Sequence, residues 1–204
     1  MSAKPWRIRP DLHVISQHIQ PGSRVLDIGC GDGELLYHLI SCLQCTGTGV
    51  EKDPKSLLTA VARGVPLLDL DVDTELNIFA PDSYDVVVLS RTLPALTRPD
   101  KVLAQLRPIA PRMILTMPNF GLWRHRLRLL SGHMPESRDL PYSWYSTPNL
   151  HHATLVDLEP LLTDIGLEVD KRIPLSPSGR PRRLGQFGAN LMASSAIYML
   201  RRTS

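Results

Sequence analysis

Residues 21–36 read Pro-Gly-Ser-Arg-Val-Leu-Asp-Ile-Gly-Cys-Gly-Asp-Gly-Glu-Leu-Leu. Arg24 to Ile28 has the apolar pattern of a short strand, and it runs into glycines at alternate positions, Gly29, Gly31 and Gly33. Residues 34–43 (ELLYHLISCL) follow at once, with Leu35, Leu36, Leu39, Ile40 and Leu43 on one broad helical face. A strand that ends in glycines and enters a helix is a ligand-binding turn, because glycine lets the backbone bend sharply and approach a bound molecule closely.

The spacing narrows the ligand. Dinucleotide sites space their glycines G-x-G-x-x-G, whereas this turn is G-x-G-x-G, with Asp27 two residues ahead of the first glycine. A carboxylate repels a pyrophosphate and attracts the ammonium group of an amino acid. S-adenosylmethionine carries that ammonium and no phosphate. The loop therefore suits it, or its demethylated product S-adenosylhomocysteine, better than NAD or ATP; a dinucleotide is the alternative. Two further acids stand in order. Glu51 ends the next strand, 18 residues past Gly33, where it can accept from both ribose hydroxyls. Asp71 follows the third strand, where it can accept from the adenine amino group, with the Val72 amide pairing a ring nitrogen. Ser90, closing the fourth strand, completes the expected cofactor set.

Outward from this centre, helix and strand patterns alternate. A helix is expected over 11–20 with Asp11 as cap, and strands over 48–51, 65–70, 84–90 and 112–117. Asp53-Pro54 starts a helix as cap and first helical residue, and another runs from about Asp100 to Leu106. Thr154 and Asp157 cap a helix over 155–164, and a strand is expected over 167–173. Residues 176–190 (SPSGRPRRLGQFGAN) read as a polar, glycine-rich loop before a closing strand over 192–200. Alternating strands and helices indicate βαβ crossovers and a parallel sheet. The basic, proline-containing residues 1–10 read as an irregular arm.

The 204 residues suit one domain, and 43% hydrophobic with 21% charged residues is ordinary for a globular chain. A net charge of +3 is too mild to argue for nucleic acid. No apolar run approaches a membrane span, and the first residues lack an apolar signal region. Three cysteines do not make a disulfide framework. The expected protein is soluble and cytoplasmic, with no nucleic acid, membrane or metal partner. Cys42 and Cys45 have thiol-motif spacing but read as two half-buried thiols. His151 and His152, adjacent on an extended chain, point to opposite sides.

At this point the chain resembles the class I methyltransferases and, more narrowly, the MetW family of methionine biosynthesis. The resemblance runs from Arg9 to about Arg201. It rests on RPDL (9–12), PGSRVLDIGCGDGELL (21–36), GVEKDP (49–54), YDVVVLSRTLPAL (84–96), RPDKVL (98–103), PNFGLWRHRLRLL (118–130), GHMP (132–135), LPYSWYSTPNLHHAT (140–154) and AIYMLRR (196–202). It implies a Rossmann-like, doubly wound α/β fold of seven strands with the last antiparallel. One domain over 1–204 would carry an aromatic and basic insertion at about 118–153. The resemblance also implies a role beside homoserine O-acyltransferase, transferring acetyl or succinyl. Arg91 departs from the family pattern, where glutamine is usual, and Leu70 stands where glycine commonly precedes the acid of the third strand.

No residue stands out as a catalytic base. Methyl transfer often needs one near the acceptor, and the usual place, after the fourth strand, reads Ser90-Arg91-Thr92-Leu93-Pro94. The Asn-Pro-Pro-Tyr tetrapeptide of amino-methylating DNA enzymes is absent there, and Asn119-Phe120 follows the fifth strand instead. Residues 118–153 concentrate aromatic and basic residues, and Trp and Tyr favour partner contacts. Trp123, Arg124, Tyr142, Trp144 and His151 are the expected partner or substrate surface. Trp123, Leu127 and Leu130 share a helical stripe, beside Arg124 and Arg128. Two functions stand open: a subunit that binds S-adenosylmethionine and activates the acyltransferase, or an active methyltransferase on a small-molecule acceptor. A protein or quinone-like acceptor is a third.

Overall fold

The segment Arg24–Ile28 (β1) is the middle of the molecule in a computed structural model that describes residues 8–203. Val25, Leu26 and Ile28 are fully buried, because helices cover both faces of this strand. Around it lie Thr46–Glu51 (β2), Leu67–Asp69 (β3), Val86–Ser90 (β4), Arg112–Pro118 (β5), Leu167–Leu175 (β6) and Ser195–Arg202 (β7). The order is β3-β2-β1-β4-β5-β7-β6, with β7 antiparallel to both neighbours and the first five strands parallel. This is the seven-stranded, doubly wound α/β fold with an antiparallel last strand. Strand order reverses between β1 and β4, and the carboxyl ends of such a pair open a crevice.

The helices are Pro10–Ser16 (α1), Glu34–Leu43 (α2), Pro54–Ala62 (α3), Pro99–Leu106 (α4), Trp123–Leu130 (α5), Leu155–Asp164 (α6) and Gln186–Met192 (α7). Asp53 caps α3 by accepting from Ser56 N at 2.8 Å, with Pro54 next. The full capping box of α6 is present, with Thr154 N donating to Asp157 Oδ2 at 2.9 Å. Two sheets of side chains result, one on each face of the β layer. One is anchored by Leu26, Leu89 and Leu115, the other by Val25, Val88 and Ile114.

Four expectations change. Arg9 rather than Asp11 is the cap residue of α1, since Pro10 already has helical geometry at the first position. Asp11 sits in the first turn and is buried. The third strand shortens to three residues at the sheet edge. The segment 176–190 is not loop throughout, for α7 begins at Gln186. Glycine and polarity argued against that helix; a tertiary contact overrides them. Asn119 Nδ2 donates to the carbonyls of Asn190 at 2.9 Å and Ala193 at 2.8 Å, satisfying acceptors that a helix end leaves open. Finally, Cys42 is exposed and Cys45 buried, because Gln44 turns the chain through a left-handed conformation between them. The expected arm over 1–10 lies, for residues 1–7, outside the described residues. Among the described residues, no helix is long and apolar enough to cross a membrane.

Candidate functional site

The crevice at the β1–β4 reversal holds a cavity of about 340 Å³. Asp27, Gly29, Cys30, Gly31 and Asp32 line it from the glycine turn, Ser90 from β4, and Arg9 and Leu12 from the first helix and its approach. Gly29 and Gly31 both have left-handed backbone, at φ 68° and 57°. Their surroundings differ. A Cβ at Gly29 would fall 2.4 Å from Thr92 Oγ1, a hydroxyl fixed by donating to Ile28 O at 2.8 Å. A Cβ at Gly31 would meet nothing within 4 Å, so that backbone faces open space. Gly33 caps α2, and a Cβ there would press on Ala60 and Val65 at 3.0 Å; it serves helix packing.

Asp27 is buried, and its Oδ1 has no hydrogen-bond partner among the described residues; Ser90 Oγ is in the same condition. Burial pushes the Asp27 carboxyl up to about 7; Arg9 draws it down and Glu51 adds to the rise. An unpartnered carboxylate oxygen and an unpartnered hydroxyl in one cleft are vacant positions for donors such as an ammonium group. Burial likewise raises the Cys30 thiol far above its usual range, so it is an inert wall of the site.

Glu51, at the end of β2, is held by three backbone amides. Its Oε2 accepts from Gly31 N at 2.8 Å, and its Oε1 from Lys52 N at 2.9 Å and Asp53 N at 3.0 Å. The side chain thus fixes the glycine turn as well as standing where a ribose would need acceptors. Asp71 lies farther along the strand ends, with Oδ1 accepting from Asp73 N at 3.1 Å and Oδ2 3.8 Å from Lys52 Nζ. Val72 beside it is packed into the core. The structure therefore brings Asp27, Gly29, Gly31 and Ser90 around one cavity, with Glu51 bonded to its rim. Gly33, Asp71 and Val72 do not line it.

Arg91 has no freedom to meet a ligand. Its guanidinium reaches Asp139 Oδ1 at 2.9 Å and lies 3.3 Å from Asp11 Oδ2. The residues expected on a partner or substrate surface are open to solvent. Trp123, Tyr142, Trp144 and Tyr145 are exposed, as are Arg124 and His151. Arg124 covers the Trp123 ring at 5.3 Å, Trp144 packs edge-on against Tyr145 at 5.7 Å, and His151 Nε2 lies 3.3 Å from Thr97 O.

Sequence reading passed over His125, Asn119 and Asp139 as structural centres. His125 is the buried residue of α5, with Nδ1 3.2 Å from Asn119 O and its pKa lowered by burial. No sequence signal pointed to it, because it lies opposite the Trp123-Leu127-Leu130 stripe, which pattern alone would turn inward. Asp139 had none either, since its partner is 48 residues away.

The family model of the methionine biosynthesis protein MetW matches residues 9–200. The chain is 28% identical over 202 residues to the bifunctional methionine biosynthesis protein MetXA/MetW of Rhodopirellula baltica, covering 94% of this chain and 32% of that protein. It thus spans about a third of that relative's length. A SAM-dependent methyltransferase from Archaeoglobus fulgidus superposes with a TM-score of 0.70 at 14% identity, covering 95% of this chain and 92% of that one. An S-adenosylmethionine-dependent methyltransferase from Mesorhizobium loti gives 0.69 at 16% identity, covering 95% and 98%.

Proposed function

Because the chain belongs to the family of the methionine biosynthesis protein MetW, we propose that it binds S-adenosylmethionine or S-adenosylhomocysteine in the β1–β4 cleft. We propose further that it acts as an accessory subunit of homoserine O-acyltransferase. Asp27 would receive the ammonium group, Ser90 would add a hydroxyl contact, and the Gly29–Gly31 backbone would lie along the amino-acid portion. Glu51 would accept from the ribose hydroxyls, and Asp71 with the Val72 amide would meet the adenine. When bound, S-adenosylmethionine supplies an electrophilic methyl group. The vacant Oδ1 of Asp27 at the cavity wall is the observation that favours this ligand.

The observation that carries the accessory role is the relative in which MetXA and MetW are joined on one polypeptide. Two units kept on one chain are kept at one place, and we read the joined unit as the counterpart of the acyltransferase. The stretch after β4 supports the same reading. Ser90 carries no base beside it, Arg91 is engaged by two carboxylates, and Thr92 is spent on Ile28 O.

Purified acyltransferase from the same organism, with homoserine and acyl-CoA, gives the test. Free CoA thiol is followed with and without this chain, and S-adenosylhomocysteine release in parallel. The reading requires faster acylation with no methyl-donor turnover. Stoichiometric S-adenosylhomocysteine release would make the chain a methyltransferase instead, and unchanged acylation would remove the accessory role.

A further inference from the structure

Helix α5 is poorly covered by its own chain. Of its eight residues, WRHRLRLL, only His125 is buried. Trp123, Leu127, Leu129 and Leu130 are exposed, Leu130 to 84%. A helix this short is marginal in water without an apolar face packed against something. The exposed surface continues beyond it. Arg128 Nε donates to Met134 O at 3.2 Å, and Met134 shares the wall of a small cavity with Tyr142 and Trp144. Trp144 is 71% exposed. Aromatic residues, methionine and arginine on one contiguous face are the composition of an interface centre.

The charge on this face selects the partner. Residues 120–144, the span of this face, contain Arg124, Arg126, Arg128 and Arg138 against Glu136 and Asp139, and Asp139 is buried and engaged by Arg91. None of the three on α5 forms an ion pair among the described residues: Arg124 lies on Trp123, Arg126 donates to Gly121 O, and Arg128 to Met134 O. A second copy of the chain fits badly, because a two-fold contact through α5 would set arginines against arginines. The seven leading residues fit no better, since they carry Lys4 and Arg7 and no acid. Leucines and Met134 among the aromatics are not a stacking platform for bases.

We infer that the face formed by α5, Met134, Tyr142 and Trp144 docks the acyltransferase, against a patch of that enzyme with an apolar centre and an acidic rim. This rests on the accessory role proposed above and adds to it the surface and the chemistry of the contact.

The test measures affinity between the full chain and the homoserine O-acyltransferase of the same organism by biolayer interferometry. Trp144→Ala should weaken association about 30-fold, as a buried aromatic anchor does when truncated. Arg124→Glu with Arg128→Glu should weaken it at least about tenfold at low salt, and by less at about 0.5 M salt. Leu58→Ala, on exposed α3 (74% exposed), should bind as wild type does. All variants should keep S-adenosylhomocysteine affinity within about twofold, which also reports that they fold. Wild-type binding with unaltered affinity in the Trp144 and arginine variants overturns the surface and leaves the accessory role standing. A wild type that does not bind the enzyme overturns both. Self-association or binding to a single-stranded oligonucleotide, lost in the same variants, would give the face to those occupants and overturn the assignment.

Discussion

Arg91 and Asp139 are 48 residues apart in sequence and 2.9 Å apart from Nη2 to Oδ1. Arg91 adopts a left-handed backbone at φ 65°, which costs a non-glycine residue about 1–2 kcal/mol. The strain aims its guanidinium between Asp139 and Asp11, whose side chains are each only 3% exposed. One arginine thus ties the turn after β4 to α1 and to the segment leading into the aromatic face. Removing it strands the buried Asp139 carboxylate and leaves the buried Asp11 with Arg9 alone, 3.4 Å away. Arg91→Gln should destabilise by roughly 2–4 kcal/mol. Asp139→Asn added to it should recover part of the loss, with a coupling of about 1–3 kcal/mol in a double-mutant cycle by denaturant unfolding. Additive effects would mean that the pair does not hold the segment.

That contact also marks where sequence reading stops. Asp27-Ile28-Gly29 announced itself because every part of it is local: strand period, glycine spacing and an acid at a fixed offset. The same holds for Asp53-Pro54 and Thr154 with Asp157, whose caps close within four residues. Asn119 closing α7 acts across more than seventy residues, and Gly185 and the glycine at 188 argued locally for loop. Of the expected cofactor set, Asp27, Gly29, Gly31 and Ser90 meet around the cavity, whereas Asp71 does not, because β3 is short and Asp71 is drawn toward Lys52.

The glycine turn separates sterics from ligand approach. Gly29→Ala drives a methyl group into Thr92 Oγ1 in addition to straining the backbone. It should lower stability by about 2–4 kcal/mol. Gly31→Ala meets open space, so only the left-handed backbone resists it, at about 1–2 kcal/mol. Gly31→Ala should therefore remain folded while losing most of its affinity for S-adenosylhomocysteine. Thermal unfolding and calorimetry on both variants give the comparison. Undiminished binding by Gly31→Ala would place the ligand elsewhere.

Asn119 holds the end of α7 with one side chain. Its Nδ2 serves Asn190 O and Ala193 O, while its Oδ1 accepts from Gly121 N at 3.0 Å. Asn119 itself and its bonds to Ala193 O and Gly121 N are buried, so water cannot replace those lost partners. Asn119→Ala should cost about 2–4 kcal/mol. Asn119→Asp, which keeps the acceptor and loses the donors, should cost at least as much. Hydrogen exchange should show α7 loosening first. A variant as stable as wild type would show that α7 is held by apolar packing alone.

Asp27 should make the affinity for S-adenosylhomocysteine depend on pH. Its carboxyl rises from an ordinary 3.8 to about 7, chiefly through burial. The folded chain then holds this proton more tightly than the unfolded chain does. Its contribution to stability is full below the ordinary value and is lost as pH rises through about 7. The ammonium group of S-adenosylhomocysteine favours the ionised form, so the ligand must displace the proton wherever it is still bound. Affinity should therefore rise with pH and level off above about 7, falling about tenfold for each unit below it. Binding at pH 6 should release close to one proton, read by calorimetry in two buffers of different ionisation enthalpy. Asp27→Asn should bind weakly and without this slope. A flat profile in the wild type, with no proton released, would mean that the ammonium group does not sit against Asp27.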